Sequence, residues 1–242
     1  MKIMQLGNGG GLDFNQTNSA FLIKMTNDDY CLVDCGFNIM QKLKQVEDED
    51  DNFEIKKIKV VLITHNHADH TGNLETLIFY NYFINNKVMK VFLPKEILEL
   101  YKGINKVYEG STMVNKQIVD LKEVWYTDKI YNIFNNVEMK CLQVEHKAEL
   151  TYGYVIYTND VNGTSFFISG DTKATPRIEE FVNNFKSKSS RKMLVFHDFS
   201  NWNAPSKQVH CCESDFEAEY SDEFKKDVIK YHNGMDFNGN WQ

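Results

Sequence analysis

Apolar residues along this chain come in short dense runs separated by polar turns. Runs at 2–6, 20–25, 30–35, 58–64, 88–93, 137–144, 152–158, 165–170, 192–198 and 226–232 are rich in β-branched and aromatic residues and predict ten strands. Between them, segments 37–46, 71–83, 94–104, 176–187 and 213–224 carry the three- and four-residue spacing of amphipathic helices. A β-rich start followed by strand–helix alternation, with no Pro/Gly/Ser linker, reads as one α/β domain over residues 1–242. The acidic run 47–54 (EDEDDNFE) is expected to be a solvated loop without function.

Composition narrows the function classes. With 242 residues and 42% hydrophobic content, the chain can bury a sizeable core. Its 27 Lys and Arg against 34 Asp and Glu give a net charge of −7, which argues against holding a long polyanion. No run of 18 apolar residues exists, and the start (MKIMQLGNGGG) breaks into glycines too early for a signal peptide. Five cysteines, odd in number and without zinc-ribbon spacing, read as reduced thiols of a cytoplasmic protein. Only the adjacent Cys211 and Cys212 invite a ligand reading, and it is the weaker one.

One stretch changes the picture. In VVLITHNHADHTGN, residues 60–73, an apolar run stops and is followed by His65, His67, Asp69 and His70, three of the chain's seven histidines. A polar loop after a buried strand is the bland explanation. Imidazole and carboxylate are also the ligands that zinc and similar divalent ions take. Alternate residues of an extended chain point the same way, so His65 and His67 can share one ion. If the chain then turns helical, Asp69 and His70 point elsewhere and can serve a second. Further candidates stand where predicted strands end: His146, Asp171, His197 and His232. In α/β proteins the loops at strand ends build the site. The GNGGG loop at 7–11 could approach a phosphate by its backbone, though a tight turn is the commoner meaning of such glycines.

The ordered set HNHADH, then His146, Asp171 in SGDT and His232 in KYHNG resembles the signature of the metallo-β-lactamase fold superfamily. The resemblance implies an αββα sandwich, two sheets face to face with helices outside. LGNGGGLDFNQTNSAFLI and LVDCGFNIMQKL resemble the opening of its tRNase Z branch. FHDF at 196–199 and VHCC at 209–212 sit where that branch carries His-Glu-Ala-Thr and His-Ser-Thr, with Asp198 in place of Glu and Cys211-Cys212 in place of Ser-Thr. Two strand-like stretches fill the interval between His146 and Asp171, and no segment is a basic Gly-rich arm for gripping tRNA. The chain is therefore more similar to armless relatives, above all the phage anti-Pycsar proteins that degrade cyclic nucleotides.

By that resemblance His65, His67 and His146 hold a first metal, Asp69, His70 and His232 a second, and Asp171 bridges. The cofactor expected is a pair of divalent ions, zinc with manganese as the alternative. Asp69 is the expected proton acceptor from the attacking water, His197 the acid that protonates the leaving group, and His210 a contact to substrate. The expected substrate is a 3′,5′-cyclic mononucleotide, cyclic CMP and cyclic UMP included. The expected protein is a cytoplasmic homodimer without membrane or long nucleic-acid partners, acting in the host cytoplasm if phage-encoded. Two other readings stay open: a tRNA 3′-processing endonuclease, and a nucleotide-binding sponge without catalysis.

Overall fold

A computed structural model describes residues 1–107, 117–124, 129–146, 150–160, 163–201, 209–234 and 241. Two six-stranded sheets carry the chain. The first runs in the order β1 (Lys2–Gly7), β2 (Ala20–Lys24), β3 (Tyr30–Val33), β4 (Ile58–Leu62), β5 (Met89–Pro94) and β6 (Val119–Val124). The second runs from β12 (Val228–Tyr231) through β11 (Lys192–Asp198), β10 (Thr164–Ile168), β9 (Thr151–Thr158) and β8 (Val137–Val144) to β7 (Ile130–Phe134). In each sheet antiparallel hairpins are joined to parallel strands: β3, β4, β5 and β6 are parallel to one another, as are β10, β11 and β12.

Strand parity sorts the core into three layers. Phe21 and Ile23 of β2, Val60 and Leu62 of β4, Phe166 and Ile168 of β10 and Phe196 of β11 pack between the sheets. Phe21 meets Phe196 and Tyr231 at ring separations of 4.9 and 5.0 Å, closing one sheet on the other. The alternate residues face outward. Leu22, Leu32 and Val61 meet helices α1 (Ile39–Glu49) and α3 (Leu74–Phe79), while Val91 and Leu93 lie beneath α4 (Lys95–Val107). Phe167 and Val195 of the second sheet meet α5 (Pro176–Ser187), α6 (Glu213–Glu219) and α7 (Asp222–Asp227). Strands buried on both faces explain why their sequences are apolar at successive rather than alternate positions. This is the expected αββα sandwich. Among the described residues, no helix is long and apolar enough to cross a membrane.

The differences from the sequence reading have physical causes. Two strands escape notice, β6 (VDLKEV) and β7 (IYNIF), and both are edge strands whose solvated sides take charged and polar residues. The helix expected over 213–224 is two, because Tyr220 turns extended (φ −111°, ψ 146°) and Ser221 caps α7 by accepting from Phe224 N–H. The acidic run is not all loop: Glu47 to Glu49 end α1, and the Glu47 carboxylate accepts from Ile55 N–H at 2.8 Å.

Candidate metal centre

The parallel strands end at the same edge of the sandwich, and the candidate ligands follow those ends. His65 and His67 come directly after β4, His146 after β8, Asp171 after β10 and His232 after β12. His67 is extended (φ −76°, ψ 151°) and leads into the one-turn helix α2 (Ala68–Thr71), which carries Asp69 and His70. The extended tripeptide sends His65 and His67 one way, and the helical turn sends Asp69 and His70 another.

Two groups of ligand atoms result. His65, His67, His146 and Asp171 offer atoms within 4.8 Å of one another, and so do Asp69, His70, Asp171 and His232. In the first group His65 Nε2 lies 2.9 Å from His67 Nδ1, and His146 Nε2 lies 3.3 Å from the same nitrogen. Asp171 serves both groups: its Oδ2 is 3.6 Å from His65 Nε2 and its Oδ1 is 3.3 Å from His70 Nε2. Asp69 Oδ2 stands 3.4 Å from both His70 Nε2 and His232 Nε2.

The donor set fits divalent cations. His70 Nε2 and Asp171 Oδ1 are buried and have no hydrogen-bond partner, a costly arrangement unless a cation completes it. Imidazole nitrogens that converge at hydrogen-bonding distance, with a carboxylate between them, are what a nitrogen/oxygen cage for such an ion requires.

Surrounding groups hold the ligands in place. Asp34, in the left-handed region at φ +64°, accepts from Thr64 N–H (2.8 Å) and Thr64 O–H (2.9 Å), while its Oδ2 lies 2.8 Å from His70 Nδ1. Thr64 Oγ1 is also 3.0 Å from His65 Nδ1. His146 Nδ1 faces the Val209 carbonyl at 3.1 Å. The His232 backbone N–H donates to Asn8 Oδ1 at 2.7 Å. Asp198 lies at the centre of a third group: its Oδ2 accepts from Thr172 N–H and meets His210 Nδ1, both at 2.8 Å, and its Oδ1 is 3.2 Å from His232 Nδ1.

Charge divides the two groups. In the metal-free chain burial, reinforced by neighbouring imidazoles, pushes His65 well below the usual histidine value, and burial also lowers His146. Burial opposes charge at His70 and His232 too, but the carboxylates win. Asp171 and Asp34 raise His70 well above its ordinary value, and Asp171 with Asp198 raises His232 to about 10. Asp171 and Asp69 are held low by these imidazoles although burial works against them.

One expected residue is not brought to the site. His197 is fully buried, with Nε2 2.6 Å from the Tyr220 hydroxyl and Nδ1 2.7 Å from the Asp198 carbonyl. The cause is strand parity: Phe196 and Asp198 face the inner side of β11, so His197 faces the helices with Val195 and packs against Phe216 and Tyr220. The imidazole at the metal centre is instead His210, half-exposed and paired to Asp198. The sequence expects His210 as a substrate contact, but it reveals neither the support that Asp34 gives His70 nor the pairing of His210 with Asp198. The same parity rule, counted back from His197 to Phe196, would have exposed the second.

The Gly-rich loop also belongs to the site. A Cβ at Gly10 would lie 3.2 Å from His232 Nε2, and one at Gly11 would lie 3.1 Å from Asp69 Oδ1. Bare backbone thus passes directly over the second group, so close that a side chain at either position would crowd a ligand.

A family model described as Anti-Pycsar protein Apyc1 matches residues 1–240. An Anti-Pycsar protein Apyc1 of Bacillus phage 010DV004 is 24% identical over 245 residues, covering 97% of this chain and 89% of the relative. Another, of Bacillus phage vB_BsuM-Goe3, is 30% identical over 99 residues, 40% of this chain, and the match spans only 36% of that relative's length. A Ribonuclease Z of Clostridium botulinum is 31% identical over 165 residues, covering 62% of this chain and 50% of the relative. Among solved structures, the metallo-β-lactamase fold protein YhfI of Bacillus subtilis matches with a TM-score of 0.69 at 15% identity, covering 96% of this chain and 86% of that one. The short form of human tRNase Z matches at 0.67 and 15%, covering 97% and 98%. At such identities these structures establish the fold. Together with the two ligand groups, the likenesses support a metal-dependent hydrolase.

Proposed function

Since the chain belongs to the Anti-Pycsar protein Apyc1 family, we propose that it hydrolyses 3′,5′-cyclic mononucleotides, cyclic CMP and cyclic UMP among them, to linear monophosphates. Such an activity would counter an antiphage defence that signals through cyclic nucleotides, and it would act in the host cytoplasm. The observation that carries the chemistry is the sharing of Asp171 between two adjacent ligand groups. His65, His67, His146 and Asp171 would hold one divalent ion, and Asp69, His70, Asp171 and His232 the other, zinc in preference to manganese. Ions held there would polarise the phosphate and lower the pKa of the attacking water.

The side chains supply the proton transfers. Asp69, whose Oδ2 stands 3.4 Å from both His70 Nε2 and His232 Nε2 in the second group, would accept a proton from the attacking water. As the P–O bond to ribose breaks, the departing alkoxide needs a proton, and His210 replaces His197 as the donor. Asp198 and Asp171 raise its pKa against the effect of burial, which favours the protonated form a donor needs. The pairing of Nδ1 with Asp198 leaves Nε2 to meet the leaving oxygen.

A small substrate suits the surface. Affinity for tRNA comes largely from Lys and Arg neutralising phosphates, whereas this chain has a net charge of −7. Among the described residues, β9 and β10 occupy the interval between His146 and Asp171 where many tRNA-processing relatives would carry an arm. The Ribonuclease Z relative keeps tRNA 3′ processing as the second reading. A non-catalytic sponge would bind a cyclic nucleotide and return it intact. The test is a panel of cyclic mononucleotides, cyclic dinucleotides and precursor tRNA with product analysis on metal-replete protein. Efficient 3′ trimming of the tRNA, with cyclic CMP and cyclic UMP surviving, would overturn the proposal. The family reading also supports a homodimer, which sedimentation would test.

A further inference from the structure

We propose that Phe14, with Leu12 beside it, forms a platform on which the substrate's nucleobase stacks. The inference rests on the phosphodiesterase reading for its ligand class and on the loop between β1 and β2 for its geometry. The base of this loop is firmly tied: Asn8 N–H and Gly9 N–H donate to the Thr17 carbonyl at 3.1 and 2.8 Å, and Ser19 N–H donates to the Gly9 carbonyl at 2.9 Å. Asn38 then ties it to the start of α1, donating from its side chain to the Gln16 carbonyl at 3.0 Å.

The far part of the loop is folded onto the metal centre. Gly10 sits against His232 and Gly11 against Asp69, Asp13 N–H closes a turn on the Gly10 carbonyl at 3.2 Å, and Asp13 Oδ2 lies 2.8 Å from where a Cβ on Gly234 would be. Leu12 and Phe14 flank Asp13, so they stand on the rim of the site. Each is 82% exposed, more than any other large apolar side chain among the described residues.

The fixed geometry explains what such exposure is for. Exposed apolar surface beside polar ligand groups is the kind that marks a ligand-binding rim, and Leu12 and Phe14 supply it at this edge of the centre. Phe14 is three residues from Gly11, so its backbone lies within about 11 Å of the glycine packed on Asp69. A cyclic nucleotide with its phosphate on the ligand groups extends its base over that distance. A phenyl face accepts any base, because every base has a π surface, and stacking carries little sequence preference. Broad tolerance among purines and pyrimidines follows directly.

The test separates the base from the sugar phosphate. Protein purified without chelator is titrated calorimetrically with CMP and with ribose 5-phosphate, as wild type, Phe14→Ala and Phe14→Trp. Wild type should bind CMP about 10-fold more tightly than ribose 5-phosphate, Phe14→Ala should bring the two together, and Phe14→Trp should keep or widen the gap. Turnover of cyclic CMP is measured in parallel. If wild type leaves cyclic CMP intact but shows the gap, the proposed reaction fails while the platform stands. No gap in wild type, or a gap that survives Phe14→Ala, overturns the platform. So does a change of sedimenting mass in Phe14→Ala, which would mean that a second copy of the chain covers Phe14.

Discussion

The two ligand groups that share Asp171 are built in opposite ways. The first is three imidazoles, two of them from a single extended tripeptide, and burial pushes His65 and His146 toward the neutral form. The second adds the Asp69 carboxylate, lies beneath a glycine backbone, and takes its supports from Asp34, Asp198 and Asn8, all distant in sequence. The ligands of each half come from three segments, 65–67, 146 and 171 in the first and 69–70, 171 and 232 in the second. The second half adds supports from three further segments, at Asp34, Asp198 and Asn8, and so offers more places where a remote mutation can disturb it.

The comparison breaks most severely at the shared residue. Asp171→Ala should deplete both halves and abolish hydrolysis, with elemental analysis falling from near two equivalents of metal toward none. His65→Ala should empty the first half while the second keeps its ion. Retention of two equivalents in either variant would refute the ligand assignment.

Next in size is the proton donor bordering the second half. His210→Ala should keep both metals and lose on the order of 10²–10⁴-fold in turnover of cyclic CMP. Bis-p-nitrophenyl phosphate, whose leaving group needs no proton, should suffer much less. His197→Ala should behave differently: it removes a buried hydrogen bond to Tyr220, costing roughly 1–3 kcal/mol in denaturant unfolding, and it should affect both esters alike. A substrate-selective loss in His197→Ala would return the acid role to it.

Asp34→Ala sharpens the contrast further. It removes the partner of His70 Nδ1, so metal affinity of the second half should fall about 10–100-fold, with a smaller change in the first. Competition with a chromogenic chelator measures both. An equal weakening of the two halves would mean that Asp34 supports the whole centre through Thr64.

The smallest effect is in protons. His70 and His232 have raised pKa values in the metal-free chain, so near pH 7 both are protonated and must each release a proton when a cation binds. His65 and His146 are lowered and already neutral there. Calorimetric loading in buffers of different ionisation enthalpy should therefore report about two protons released by the second half and none from His65 or His146. Lower pH should weaken the second half first.

This asymmetry also governs what the sequence made legible. His65 to His70 stand out because their spacing is itself the geometry, and the double-sided strands announce themselves by unbroken apolar runs. Edge strands β6 and β7 do not, since half their surface is wet. The residue identities at the end of β11 were plain, yet which of His197 and Asp198 looks inward depended on counting from Phe196. Asp34 was invisible as a support because nothing local links it to His70, 36 residues on. The pairing exists only once β3 and β4 lie side by side.

Asp34 and His232 have a property in common: both are non-glycine residues held in the left-handed backbone region, at φ +64° and +67°. Each such position costs about 1–2 kcal/mol that a glycine would recover. Glycine would relieve that cost, but at position 34 it would strip Thr64 N–H, Thr64 O–H and His70 of a buried acceptor, a larger loss. The left-handed backbone at these two positions is therefore held by the same side-chain contacts that build the centre, and Asp34→Gly should lower stability rather than raise it, a thermal melt giving the sign.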